Sequence, residues 1–155
     1  MVYQIPQQNP NGVISTDKAP APGNYSQARV VELRDCLVVY ISGQTGNDPK
    51  TDKVVMGGIG PQTTQALSNI QGILESVRGV SVRGGLEHVV DMTVFLENME
   101  RDKKGFEEAY TAVMPKPLPA RALVEVTRVP LLSEETVVEL KAIAYIPRYR
   151  EKIAP

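Results

Sequence analysis

One cysteine, one histidine and no tryptophan occur among 155 residues. A lone Cys36 closes no disulfide within the chain. With His88 as the sole imidazole, neither a multi-cysteine nor a two-histidine zinc site can form. Carboxylates alone could still hold Mg²⁺. Basic residues are not in excess: the net charge is -1, which removes the electrostatic case for nucleic acid. No run of 18 apolar residues is present, so no membrane-spanning helix is expected. The opening stretch Met1-Val-Tyr-Gln-Ile-Pro-Gln-Gln8 has no basic region followed by an apolar core, and no Arg-rich amphipathic pattern. The cytoplasm is therefore the expected compartment, with the mitochondrion left open. What is present, 42% apolar and 23% charged residues, suits a single soluble domain with a sizeable core.

Pro6, Pro10, Pro20 and Pro22 mark the first 24 residues as an extended arm. Arg29 to Leu33 and Cys36 to Ser42 read as two strands about a tight turn at Arg34-Asp35. The second contains Leu37-Val-Val-Tyr-Ile41, a continuous apolar run that suggests a central strand. Gly60-Pro61 opens a helix. Ala66, Leu67, Ile70, Ile73, Leu74 and Val77 form its apolar stripe, and Gly79 is its expected stop. Residues 78–85 form a polar loop, and Val89 to Leu96 a strand. A second helix is expected over Lys103 to Met114, with Phe106, Ala109, Tyr110, Val113 and Met114 on one face and Pro115 and Pro117 ending it. The runs at residues 119–126 and 136–146 supply two final strands, and Pro147 to Pro155 a polar tail. The order gives an α+β fold: one domain over residues 1–155, with two helices on one face of a mixed sheet.

Arg121 interrupts the apolar run Pro119-Ala-Arg-Ala-Leu-Val-Glu-Val126, and Glu139 interrupts the final strand. An unpaired buried charge is very costly, so each needs a partner or a task. Alternation puts Arg121, Leu123 and Glu125 on one face of their strand and Glu139, Lys141, Ile143 and Tyr145 on one face of theirs. Arg121 and Glu139 are expected together on the sheet face away from the helices. That face is apolar enough to suggest burial by oligomerisation. Spacing alone favours an interface salt bridge between Arg121 and Glu139 or Glu125, and a cross-strand pair between Glu125 and Lys141. The sharper reading is a guanidinium that grips a small organic acid beside a glutamate that handles water. Ser42-Gly43 reads as a strand end that could put a hydroxyl and backbone N–H groups at a pocket edge. Cys36 reads as a small buried hydrophobe, and His88 as a surface or capping residue.

Six stretches, in order, resemble the Rid family of reactive intermediate deaminases, also called YjgF-type proteins. They are Ala19-Pro-Ala-Pro-Gly-Asn-Tyr-Ser-Gln27, Ile41-Ser-Gly-Gln44, Gln65-Ala-Leu-Ser-Asn-Ile-Gln-Gly-Ile-Leu74, Val89-Val-Asp-Met-Thr-Val-Phe-Leu96, Pro119-Ala-Arg-Ala-Leu-Val-Glu-Val126 and Val138-Glu-Leu-Lys-Ala-Ile-Ala144. The resemblance covers a core of about residues 19–146. It implies a chorismate-mutase-like domain assembled as a homotrimer, with sites between subunits. Imines already hydrolyse spontaneously, so positioning and one base suffice, and no metal and no organic cofactor is expected. The resemblance also implies roles: Arg121 on the substrate carboxylate, Glu139 on the hydrolytic water, and Tyr25, Ser42, Gly43 and the Leu123 backbone in the pocket. Glu107 stands where the family commonly has Asn, and Ala122-Leu123 where a Ser-Cys pair is common. The implied substrates are imino or enamino acids. A 2-aminomuconate deaminase, a ribonuclease or translation inhibitor (a label attached to the family), and a non-catalytic ligand-binding trimer are the alternatives.

Overall fold

The computed structural model describes residues 9–129 and 135–148. The first eight residues of the arm and most of the C-terminal tail lie outside these. Six strands form one sheet in the order β1-β2-β3-β6-β4-β5. They are β1 (Val13–Ile14), β2 (Ala28–Glu32), β3 (Cys36–Thr45), β4 (Val89–Leu96), β5 (Ala120–Glu125) and β6 (Val138–Pro147). Helices α1 (Ile59–Glu75) and α2 (Met99–Val113) pack on one face. Among the described residues only the β4–β5 pair is parallel, joined through α2.

The two periodicities of the chain meet in the core. Leu67, Ile70, Ile73 and Leu74 of α1 lie over Val39 and Ile41 of β3, Leu140, Ala142, Ala144 and Ile146 of β6, and Met92, Val94 and Leu96 of β4. Phe106 and Tyr110 carry the α2 contribution. Burying each large apolar side chain contributes about 1.5–3 kcal/mol, which outweighs the charged outer face of α2. Cys36 is buried, as a small hydrophobe should be. His88 lies in a short 3₁₀ turn, where its Nδ1 accepts the Gly85 N–H at 3.2 Å, a capping role.

Several boundaries differ from the sequence reading. Ser42-Gly43, expected as a strand end, lies inside β3, which pairs with β6 as far as Thr45. The arm contributes a two-residue strand, β1, paired antiparallel to β2. The first helix ends at Glu75, not beside Gly79. The second begins four residues early, at Met99, because the Asn98 side chain accepts the Arg101 N–H and caps it. Glu125 also accepts the Met99 N–H at 2.6 Å. That contact replaces the expected Glu125–Lys141 pair. Glu125 is in register with Leu96, whereas Lys141 is in register with Thr93.

The placement of Arg121 corrects the sequence reading most. In register, Arg121 lies beside Met92 and Leu123 beside Val94, both core residues, so this side of β5 faces α2. Glu139 is in register with Phe95, on the open face. The two residues therefore occupy opposite faces of the sheet. The sequence reading turns Ala122 and Val124 toward the helices and Leu123 away from them. Instead β5 is an edge strand, and its Val124 is exposed. A long Arg stem can cover apolar surface while its head group stays at the rim.

Candidate active site

The site comes in two halves. The first is built around a bulge in β3. Ile41 pairs with Ala142 and Gln44 with Leu140, so Ser42 and Gly43 together oppose the single Lys141. The bulge turns Gly43 toward the neighbouring Glu139 side chain. A Cβ on Gly43 would lie 1.6 Å from Glu139 Oε1, so the missing side chain is the space the carboxylate fills. Burial pushes the Glu139 carboxyl above the usual glutamate range, and Lys141 offsets only part of that. An open cleft of about 940 Å³ lies over it, with Tyr25 on its wall. Among the described residues Asp52 and Glu135 line it too, against one cation, Lys53.

Ser42 does not offer its hydroxyl proton to the cleft. The hydroxyl donates to the Ser26 carbonyl at 2.7 Å, and the Ser42 N–H donates to the Gln27 carbonyl at 3.0 Å. Its role is to fasten the Tyr25 loop to β3.

Three buried carboxamides, to which the sequence reading gave no role, hold the walls of this cleft. Gln27 Nε2 donates to the carbonyls of Thr16, Ala19 and Pro20, and its Oε1 accepts the Thr16 N–H. Gln62 Nε2 donates to the Glu135 carbonyl at 2.7 Å and its Oε1 accepts the Val137 N–H at 3.0 Å. Asn69 Nδ2 donates to the carbonyls of Thr45 and Asn47, while Gln65 donates to its Oδ1. One signal was available: Asn69 stands inside the apolar stripe of α1, where a polar side chain needs partners.

The second half lies where β5 meets α2. The Arg121 guanidinium carbon stands 4.6 Å from the Tyr110 ring centre and 5.3 Å from that of Phe106, distances at which a cation is attracted to an aromatic face. Burial raises the Tyr110 phenol, and the nearby Arg121 charge acts in the opposite sense. Glu107 takes both ends of the guanidinium, Nη1 to Oε2 at 3.0 Å and Nη2 to Oε1 at 2.5 Å. Leu123 follows on the same face, packed against the core. Thus Tyr25, Gly43 and Glu139 come together, as do Arg121, Glu107 and Leu123, but no expected residue bridges the two groups.

Known proteins share this arrangement of sequence and fold. Residues 16–146 match a family model described as Endoribonuclease L-PSP. A 2-iminobutanoate/2-iminopropanoate deaminase of Mus musculus is 41% identical over 133 residues, covering 85% of this chain and 89% of that protein. A RutC family protein of Pyrococcus horikoshii is 40% identical over 134 residues, covering 86% and 96%. The crystal structure of RidA from an Antarctic Psychrobacter superposes with a TM-score of 0.72 at 39% identity, covering 86% of this chain and 98% of that one. The matched span holds every element from β2 to β6, and on that ground the chain belongs to the YjgF/Rid family.

Proposed function

We propose that this protein hydrolyses reactive 2-imino acids and their enamine tautomers to 2-oxo acids and ammonia. The observation that carries the reading is the Glu139 carboxyl, seated over the bare Gly43 backbone in an acid-lined cleft. An imino acid has a carboxylate at one end and a basic nitrogen at the other. Arg121 suits the first through bidentate hydrogen bonds. The carboxylates of the cleft suit the second when it is protonated. Water adds through oxygen to the imine carbon while Glu139 takes its proton. That proton passes to nitrogen, Glu139 takes the proton of the new hydroxyl, the C–N bond of the carbinolamine breaks, and ammonia leaves as the C=O bond forms. Positioning and one base supply the catalysis.

On this reading the two halves come from different chains. Glu139 and Arg121 stand on strands β6 and β5, separated by β4. At about 4.8 Å per strand and 3.3 Å per residue, their Cα atoms are roughly 14 Å apart. Their side chains also point to opposite faces. A complete site thus requires a second copy, in line with a homotrimer whose sites lie between subunits. Tyr40, Val124 and Tyr145 on the open sheet face are exposed apolar surface for such an assembly.

Lys53 could serve a second carboxylate, as in 2-aminomuconate, but Asp52, Glu135 and Glu139 outnumber it in the same cleft. These acids would also repel an RNA phosphodiester. The test measures ammonia release from 2-iminopropanoate generated in situ, against the spontaneous rate. Arg121→Ala and Glu139→Gln should each lower the enzymatic rate by about 10²-fold or more. Wild-type rates in both variants would sink the reading. Binding without ammonia release would instead indicate a ligand-binding trimer.

A further inference from the structure

We infer that Glu107 is a specificity determinant: a resident carboxylate that an entering substrate carboxylate must displace from Arg121. The inference rests on the proposed grip of Arg121 on the substrate acid. The two ring contacts hold one face of the guanidinium against the buried Tyr110 and Phe106. Its terminal edge, with both Nη atoms, is occupied by Glu107. A two-point grip on a substrate carboxylate needs an edge of this kind. Glu107 therefore imitates the ligand from within the same chain.

The imitation is reversible in form. The Glu107 side chain is 37% exposed and that of Arg121 22%. Glu107 hangs from the outer side of α2, next to Glu108, Lys103 and Lys104 in a shallow groove, so it can turn outward when another carboxylate takes its place. The ring contacts to Arg121 do not depend on it, so the guanidinium keeps its position. Two consequences follow for substrate choice. Arg121 and Glu107 sum to zero charge, so this half-site exerts little long-range pull on anions. Each acid must also outcompete a tethered rival. Substrates with further contacts beyond the carboxylate are favoured over the smallest imino acids, whose carboxylate carries most of their binding.

The experiment compares wild type with Glu107→Gln and Glu107→Ala on 2-iminobutanoate, and measures binding of the unreactive 2-oxobutanoate by calorimetry. Both variants should lower KM and tighten Kd by roughly tenfold, the worth of one charge-assisted pair, with kcat changed by less than about threefold. The gain should be larger for 2-iminopropanoate than for a bulkier imino acid. Thermal melts confirm that the variants fold. Unchanged KM and Kd in both variants, with Arg121→Ala still inactive, would overturn the role of Glu107 while leaving the proposed activity intact. A fall in kcat without a gain in binding would overturn it too, marking Glu107 as a group that merely holds Arg121. If Arg121→Ala bound 2-oxobutanoate as well as wild type, the carboxylate grip itself would fail.

Discussion

At the scale of single residues, Glu139 sets opposite demands on activity and stability. Its carboxyl is partly buried, which shifts its ionisation to higher pH than an ordinary glutamate. A general base must be ionised, so kcat/KM should rise with pH through that elevated value. Stability runs the other way. The folded chain binds this proton more tightly than the unfolded one. The contribution of the group is therefore fully present below the unfolded value of about 4.3 and lost as pH rises through the folded one. Glu139→Gln should accordingly be inactive yet melt no lower than the parent at pH 7. Gly43→Ala, whose methyl would stand where the carboxylate is, should lose activity across the pH range. A pH–rate profile with its acid limb in the ordinary glutamate range would contradict this account. Sequence alone singled out Arg121 and Glu139, because charges inside apolar strands are conspicuous. It did not pair Arg121 with Glu107, because alternation tells which residues share a face and not which face a helix covers.

At the scale of elements, the cleft is shaped by amides rather than by its acids. Asn69 projects from α1 to the ends of β3, where the Thr45 and Asn47 carbonyls accept its two protons. Asn69→Ala leaves those acceptors without a donor, at a cost of about 1–3 kcal/mol. The melting temperature should fall by roughly 2–4 °C for each kcal/mol in a chain of this size. Asn69→Asp is nearly isosteric but cannot donate and adds a buried charge, so it should be the less stable of the two. Wild-type melting of Asn69→Asp would refute the assignment. The strands and α1 were legible in advance because β-branched runs and a 3.6-residue stripe are strong local signals. The first turn of α2 was not, since Met99-Glu-Arg-Asp102 has little apolar periodicity and its start depends on the Asn98 cap. Nor was β1, whose two residues form a strand only through pairing with β2. The partners of Gln27, Gln62 and Asn69 were hidden for a similar reason: most are backbone atoms of other segments, which the fold alone brings near.

At the scale of the whole molecule, the decisive property is that Arg121 and Glu139, the two halves of the proposed site, lie on opposite faces of one sheet. If two copies complete each site, an Arg121→Ala chain and a Glu139→Gln chain are defective in different halves. Alone, each forms only broken sites. Mixed, an Arg121 from one chain can meet a Glu139 from the other, and such a site has both groups. With equal amounts and free exchange, roughly one quarter of sites in a closed symmetric assembly regain the pair. Ammonia release should therefore return to about that fraction of the wild-type rate after the two inactive variants are unfolded and refolded together, and not when they are refolded apart. Light scattering should give the mass of three chains for both the parent and the mixture. The result that excludes a shared site is a mixture that forms hybrid oligomers, traceable by a tag on one chain, yet stays as inactive as its components. Recovery requires that Arg121 and Glu139 act across a subunit boundary, because no single refolded chain in the mixture carries both.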